Sequence, residues 1–180
     1  MRNYIVIIVF SIIFVIVLSF ITQKKHLGKS PINRCLFFLG KFSMFVSWIF
    51  FFIKALFPNY FQLVSPIFFE WIAVSLLLFA IVIELLAFFT LGKLSKFGLP
   101  EHKSVLITKG VYRISRNPMY VAFDLICIAS SIFHPNIINI GFSIIGIVIH
   151  HKIILGEENF LKTNYCDEWY KYEKRTRRYL

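Results

Sequence analysis

The stretch Ile67–Leu91, IFFEWIAVSLLLFAIVIELLAFFTL, decides how the rest of the chain is read. It is the longest apolar run in the sequence and carries Glu84 deep inside it. As a helix rising about 1.5 Å per residue it can cross a hydrocarbon core about 30 Å thick. On its N-terminal side lies a second apolar run, residues 36–57, with Lys41 near its start and Lys54 near its end. Both lysines can snorkel toward headgroups. Between the two runs, Phe57-Pro58-Asn59-Tyr60 makes a short turn, with Pro58 and Pro66 as breakers. Further back, residues 4–22 form a run of about 28 Å as a helix. This run is long for a signal-peptide core and no small-residue cleavage pattern follows, so it reads as an uncleaved spanning helix.

Toward the C-terminus the pattern changes. Residues 92–116 are polar and basic, with Gly98, Pro100 and Gly110, and predict a loop with short ordered pieces. Apolar runs return at 119–133 and 137–155, separated by His134-Pro135-Asn136, which predicts a tight helical hairpin. The first run of this hairpin is short for a spanning helix, so the pair is tilted or re-entrant. From Gly156 the chain turns polar and closes on the basic run Lys174-Arg175-Thr176-Arg177-Arg178. The expected fold is an all-α integral membrane protein with about five transmembrane helices. Residues 1–91 hold the three N-terminal helices, and residues 92–180 hold the loop, the hairpin and the polar C-terminal segment.

Composition agrees. With 58% hydrophobic residues and a mean hydropathy of +0.72, the chain has too little polar surface for an ordinary soluble domain. Its 180 residues leave no room for a separate soluble domain of normal size. The formal charge of +11 sits between apolar runs, where it suits anionic lipid headgroups rather than nucleic acid. Cys35, Cys127 and Cys166 have no CxxC spacing, which argues against a disulfide framework or a metal site.

Basic residues also orient the chain. Lys24, Lys25, Lys29, Arg34 and Lys41 follow the first run. Lys93, Lys96, Lys103, Lys109, Arg113 and Arg116 follow the third, and Lys162, Lys171, Lys174, Arg175, Arg177 and Arg178 follow the fifth. The two intervening turns carry no Lys or Arg. This alternation predicts an N-terminus outside and a C-terminus in the cytoplasm. Polar material then gathers on one membrane face, in residues 92–120 and 150–180, and the hairpin brings these segments together. A site there would open to the cytoplasm for a soluble cofactor and to the bilayer for a lipidic substrate.

Within those segments, Leu106-Ile107-Thr108-Lys109-Gly110-Val111-Tyr112-Arg113 and Arg116-Asn117-Pro118-Met119-Tyr120 stand out, as do Glu157-Glu158 and Glu168-Trp169-Tyr170-Lys171-Tyr172. With Leu91-Gly92 before them, these resemble the paired signature of the isoprenylcysteine carboxyl methyltransferase and phospholipid N-methyltransferase group of membrane enzymes. The resemblance runs from about Leu91 to Arg178 and implies use of S-adenosylmethionine. It places the cofactor against Ser104, Val105, Leu106, Ile107, Tyr112, Asn117, Pro118, Met119, Tyr120 and Glu157. It places the chemistry at Arg116, Asn117, Tyr120 and Glu158. The implied partners are membrane lipids and a lipidic or prenylated substrate, methylated on a carboxylate or an amine, with no metal and no nucleic acid.

The residue types suit that assignment. Carboxylates such as Glu157 and Glu158 accept from ribose hydroxyls or an ammonium. Arg113 and Arg116 can hold a carboxylate or phosphate by paired contacts. Tyr112 and Tyr120 can stack on adenine or face a sulfonium. Each also has a plainer reading: the arginines as headgroup anchors, Pro118 as a helix start, the glutamates as a solvated helix end. His150 shares a helix face with Glu157, and His151 with Glu158, each pair two turns apart. Glu84 and Asp124 lie in apolar runs, where an ionisable group marks either function or buried hydrogen bonding. Two positions depart from the signature. Asn117 stands where the group has histidine, and Ile153, beside Lys152, stands where relatives often carry arginine. The second departure weakens a prenylcysteine carboxylate as substrate. Two other readings remain open: a sterol-type reductase using NADPH, suggested by Lys162-Thr163-Asn164-Tyr165 and Trp169, and a non-enzymatic membrane adaptor.

Overall fold

A computed structural model describes residues 30–58, 66–92 and 105–180. The apolar run at residues 4–22 and the candidate Ser104 lie outside the described residues. Among the described residues there are four α-helices and one 3-10 turn: α1 (Arg34–Leu56), α2 (Ile67–Leu91), the turn Gly110–Arg113, α3 (Pro118–Phe133) and α4 (Ile137–Arg175). Among the described residues there is no strand, only an isolated parallel bridge between Ser115 and Arg177. Helices α1, α2 and α4 are long and apolar enough to cross a membrane.

Each helix begins where its sequence supplies a start. Asn33 caps α1 by accepting from the Cys35 amide at 2.8 Å, and Asn136 caps α4 by accepting from the Ile138 amide at 2.9 Å. Pro118 opens α3, where its missing N–H costs nothing. Gly92, at φ 52°, ends α2. The hairpin expected around His134-Pro135-Asn136 forms as α3 and α4.

The short helix is the central one. α3 packs against α1, α2 and α4 together, and most of its side chains are buried. Sixteen residues give about 24 Å, less than a bilayer core. Its flanks meet protein rather than lipid, so its length need not match the bilayer. The outward faces of α1, α2 and α4 are strongly apolar; Phe68, Trp71, Phe89 and Ile137 are all exposed. An exposed surface of this kind needs lipid as its solvent.

Between the helices, small polar side chains replace bulk. Ser47 and Ser143 meet at 2.9 Å across α1 and α4, and Ser131 donates to Ser143 at 2.9 Å. Ser130 donates to the Ser47 carbonyl. Gly146 brings α4 against Ser43, Met44 and Cys127. Apolar packing gains little inside lipid, so close approach and such bonds hold membrane helices together. The two α1 lysines turn inward instead of reaching headgroups. Lys54 donates to the Phe133 carbonyl at the C-terminus of α3, where a cation meets the negative end of the helix dipole. Lys41 sits 4.5 Å from the ring centroids of both Tyr120 and Phe123.

Asn139 ties the hairpin turn. Its amide donates to the carbonyls of Ser130 at 3.0 Å and His134 at 2.9 Å, and it is fully buried. Substituting Asn139 with Ala should destabilise the detergent-solubilised protein by about 1–2 kcal/mol, read as an earlier thermal unfolding transition. An unchanged transition would show that the turn holds without this residue.

Candidate functional site

Beyond Leu155, where the apolar run stops, α4 continues as a polar arm to Arg175. Its regular geometry breaks once, at Cys166, with φ 41°. Past the break Trp169 and Tyr172 are buried, and the Tyr172 hydroxyl donates to the Tyr112 carbonyl at 2.7 Å. The arm thereby packs on the loop that precedes α3. Gly110 seats that loop. It has φ 59°, and a Cβ there would lie 2.7 Å from Thr90 Oγ1 on α2, so both backbone and space call for glycine.

Glu158 is the meeting point. Its side chain is 7% exposed. It accepts from Arg116 Nε at 3.1 Å, from Asn117 Nδ2 at 2.9 Å and from Arg178 Nε at 3.0 Å. Arg116 is equally buried, also donates to the Glu173 carbonyl at 3.2 Å, and lies 5.6 Å from the Trp169 ring. Its backbone amide donates to the Arg177 carbonyl at 2.8 Å, and Ser115 Oγ donates to the Arg178 carbonyl at 3.2 Å. The hydrogen bond to Glu158 raises the Arg178 pKa, so that guanidinium stays charged. One buried acid thus fastens three segments: the loop before α3, the α4 arm and the C-terminal tail. Asn117 does here what a neutral ring N–H could do, since its amide donates to Glu158 and to the Arg178 carbonyl.

Glu157 faces the other way. It accepts from the Tyr120 hydroxyl at 2.7 Å. Tyr112, Glu84 and Lys41 lie within electrostatic reach of it or of Tyr120. Burial, first, and then the acids Glu84 and Glu157 hold the Tyr112 phenol well above its usual pKa, so it stays neutral. Among the described residues neither carboxylate oxygen of Glu84 has a hydrogen-bond partner, although Glu84 is 1% exposed. His150 lies on the same α4 face as Glu157, its ring 5.7 Å from that of Tyr120. Its Nδ1 is 2.8 Å from Asp124 Oδ1. His151 and Glu158, on the neighbouring face, both meet the tail, through Tyr179 and Arg178.

The residues singled out in the sequence therefore fall into two linked groups. Arg116, Asn117 and Glu158 belong to the ion-pair network. Tyr112, Tyr120 and Glu157 belong to the aromatic and carboxylate cluster, with Pro118 and Met119 buried at the start of α3. Val105, Leu106 and Ile107 lie in a stretch without regular secondary structure, Val105 exposed and Ile107 packed on the core. Exposed Arg113 has no part in the network. Sequence reasoning had not joined Arg178 to Glu158, or Lys41 to Tyr120. Among the described residues no group of three or more His, Cys, Asp or Glu could hold a metal ion.

Helices long and apolar enough to span a bilayer, with buried acids between them and a basic loop-and-tail clamp at one end, define a membrane protein with a polar interior site. The phospholipid methyltransferase family model matches residues 68–168, more than half of the chain, and the chain belongs to that family. Comparison with curated proteins and with solved structures finds no match.

Replacing Glu158 with Ala would strip the buried Arg116 of its nearest carboxylate, leaving Glu173 Oε1 at 3.5 Å, and Arg178 of its partner, at a cost of about 1.5–3 kcal/mol. Trypsin should then cleave near Arg175 and Arg177 about tenfold faster or more, because the tail undocks locally. Equal cleavage rates in the two proteins would mean that other contacts hold the tail.

Proposed function

We propose that this protein transfers a methyl group from S-adenosylmethionine to a lipid at the cytoplasmic face of its membrane. The observation that carries the reading is the bond from buried Tyr120 to half-buried Glu157, near Tyr112 and next to the segment that opens α3. A carboxylate and phenol rings suit a ligand that combines a sulfonium, an ammonium and ribose hydroxyls. Among the described residues, Tyr120 makes the one hydrogen bond to Glu157, which leaves acceptor capacity on that carboxylate. The residues present therefore fit the donor. Val105, Leu106, Ile107, Tyr112, Asn117, Pro118, Met119, Tyr120 and Glu157, with Ser104 preceding them, would hold it.

The methyl donor supplies an activated carbon with a neutral thioether leaving group. The chain supplies binding, alignment and exclusion of water, which are the main needs of an in-line displacement. Arg116, Asn117 and Glu158 keep the loop, arm and tail in one arrangement around the donor. Residues 92–180 are the catalytic region, and residues 1–91 supply the membrane scaffold. Loop charge puts the N-terminus outside and the site in the cytoplasm. A phospholipid amine is the acceptor that the departure at Ile153 and the family both favour over a prenylcysteine carboxylate.

Calorimetric titration of the purified protein with S-adenosylhomocysteine, alongside NADPH, tests the reading. S-adenosylhomocysteine should bind and NADPH should not. Glu157→Ala should weaken that binding about tenfold or more, the loss expected for a charge-assisted contact, while the protein still inserts. NADPH binding alone would favour a reductase, and binding of neither by folded protein would favour an adaptor.

A further inference from the structure

The Asp124–His150 pair lies on the membrane side of Tyr120, and the reading above leaves it unused. His150 is fully buried, and its Nε2 has no hydrogen-bond partner among the described residues. Its Nδ1 meets Asp124 Oδ1 at 2.8 Å, and the Asp124 side chain is 18% exposed. A carboxylate accepting at Nδ1 fixes the neutral ring as the Nδ1–H tautomer and leaves the Nε2 lone pair available. A buried nitrogen with a lone pair and no donor is costly unless something else occupies it in use. The ring stands 5.7 Å from both Tyr120 and Phe123, so the pair adjoins the Tyr120–Glu157 cluster. The charged and titratable groups around it are Lys41 on α1, Asp124 and Tyr120 on α3, and Glu157 two turns along α4. Tyr179 of the tail lies within reach of Asp124.

We propose that His150, oriented by Asp124, is the proton acceptor for methyl transfer to a lipid amine. This rests on the methyltransferase reading above. The lipid ammonium gives one N–H proton to His150 Nε2, which frees the nitrogen lone pair. That pair forms the new N–C bond to the sulfonium methyl as the C–S bond breaks, and sulfur keeps the bonding electrons as a neutral thioether. Asp124 stabilises the imidazolium through its bond to Nδ1, and the Nε2 proton leaves to solvent as the product departs, which restores the Nδ1–H tautomer. A carboxylate acceptor would need no such base. The paired histidine and aspartate therefore favour amine over carboxylate methylation.

The test uses the full chain in nanodiscs containing phosphatidylethanolamine, with S-adenosylmethionine labelled on its methyl group. His150→Gln should lower turnover about 100-fold or more, the usual contribution of a general base. It should leave S-adenosylhomocysteine affinity within about threefold of the parent. The parent's rate should rise with pH as one group loses its proton, and that rise should be absent in His150→Gln. Asp124→Asn should lower turnover without loss of product binding. Independently of turnover, 15N spectra of histidine-labelled parent protein should show His150 as the Nδ1–H tautomer near neutral pH.

Methylation of the amine at parental rate by His150→Gln overturns the assignment. So does a parent that methylates only a farnesylcysteine carboxylate, or neither acceptor. An Nε2–H tautomer overturns it even if His150→Gln fails to fold. A parent that binds no S-adenosylhomocysteine overturns the methyltransferase reading itself, and the assignment of His150 with it.

Discussion

Glu158 is a single carboxylate with almost no access to water, and it is shared by Arg116, Asn117 and Arg178. Burying a charge is tolerable only when its partners satisfy it, and here they come from three separate stretches of chain. Arg116 and Asn117 immediately precede α3, Glu158 lies on the α4 arm, and Arg178 lies in the tail. Satisfying one acid therefore fixes the entry angle of α3, the rotation of α4 and the path of the last residues. Rotation of α4 turns Glu157 toward Tyr120 and His150 toward Asp124. The aromatic and carboxylate cluster follows from the same constraint.

Below that clamp the protein is held by small groups. Serines, glycines and Asn139 bring α1, α3 and α4 together, and α3 avoids lipid by lying among its neighbours. This central position explains how polar groups persist at membrane depth. Lys41, Glu84, Asp124 and His150 all belong to the interior of the helix cluster, where they meet one another rather than hydrocarbon. The arrangement puts a reactive polar interior beside a lipid-facing exterior.

Much of this was legible in the sequence. Apolar runs and their breakers predicted helices close to α1, α2, α3 and α4, and His134-Pro135-Asn136 predicted the hairpin. The two-turn spacing correctly paired His150 with Glu157 and His151 with Glu158, because helical period is a local property. Other features needed tertiary register. Hydropathy along a run does not say which side meets protein, so Lys41 and Lys54 read as headgroup anchors when both turn inward. Charge counting took Arg178 for part of a basic flank, since it cannot see a buried acid 20 residues earlier. The polar stretch after Leu155 gave no apolar signal, yet it stays helical because Trp169 and Tyr172 pack on the loop before α3. Asp124 and His150 became a pair only once the hairpin register was known.

The central claim is that the loop before α3, the α4 arm and the tail together form the donor site. Hydrogen exchange of the nanodisc-embedded protein, with and without S-adenosylhomocysteine, tests it most directly. Slower exchange confined to residues 105–120 and 150–178 is the predicted result. Unchanged exchange there, or protection only in α1 and α2, would contradict the account.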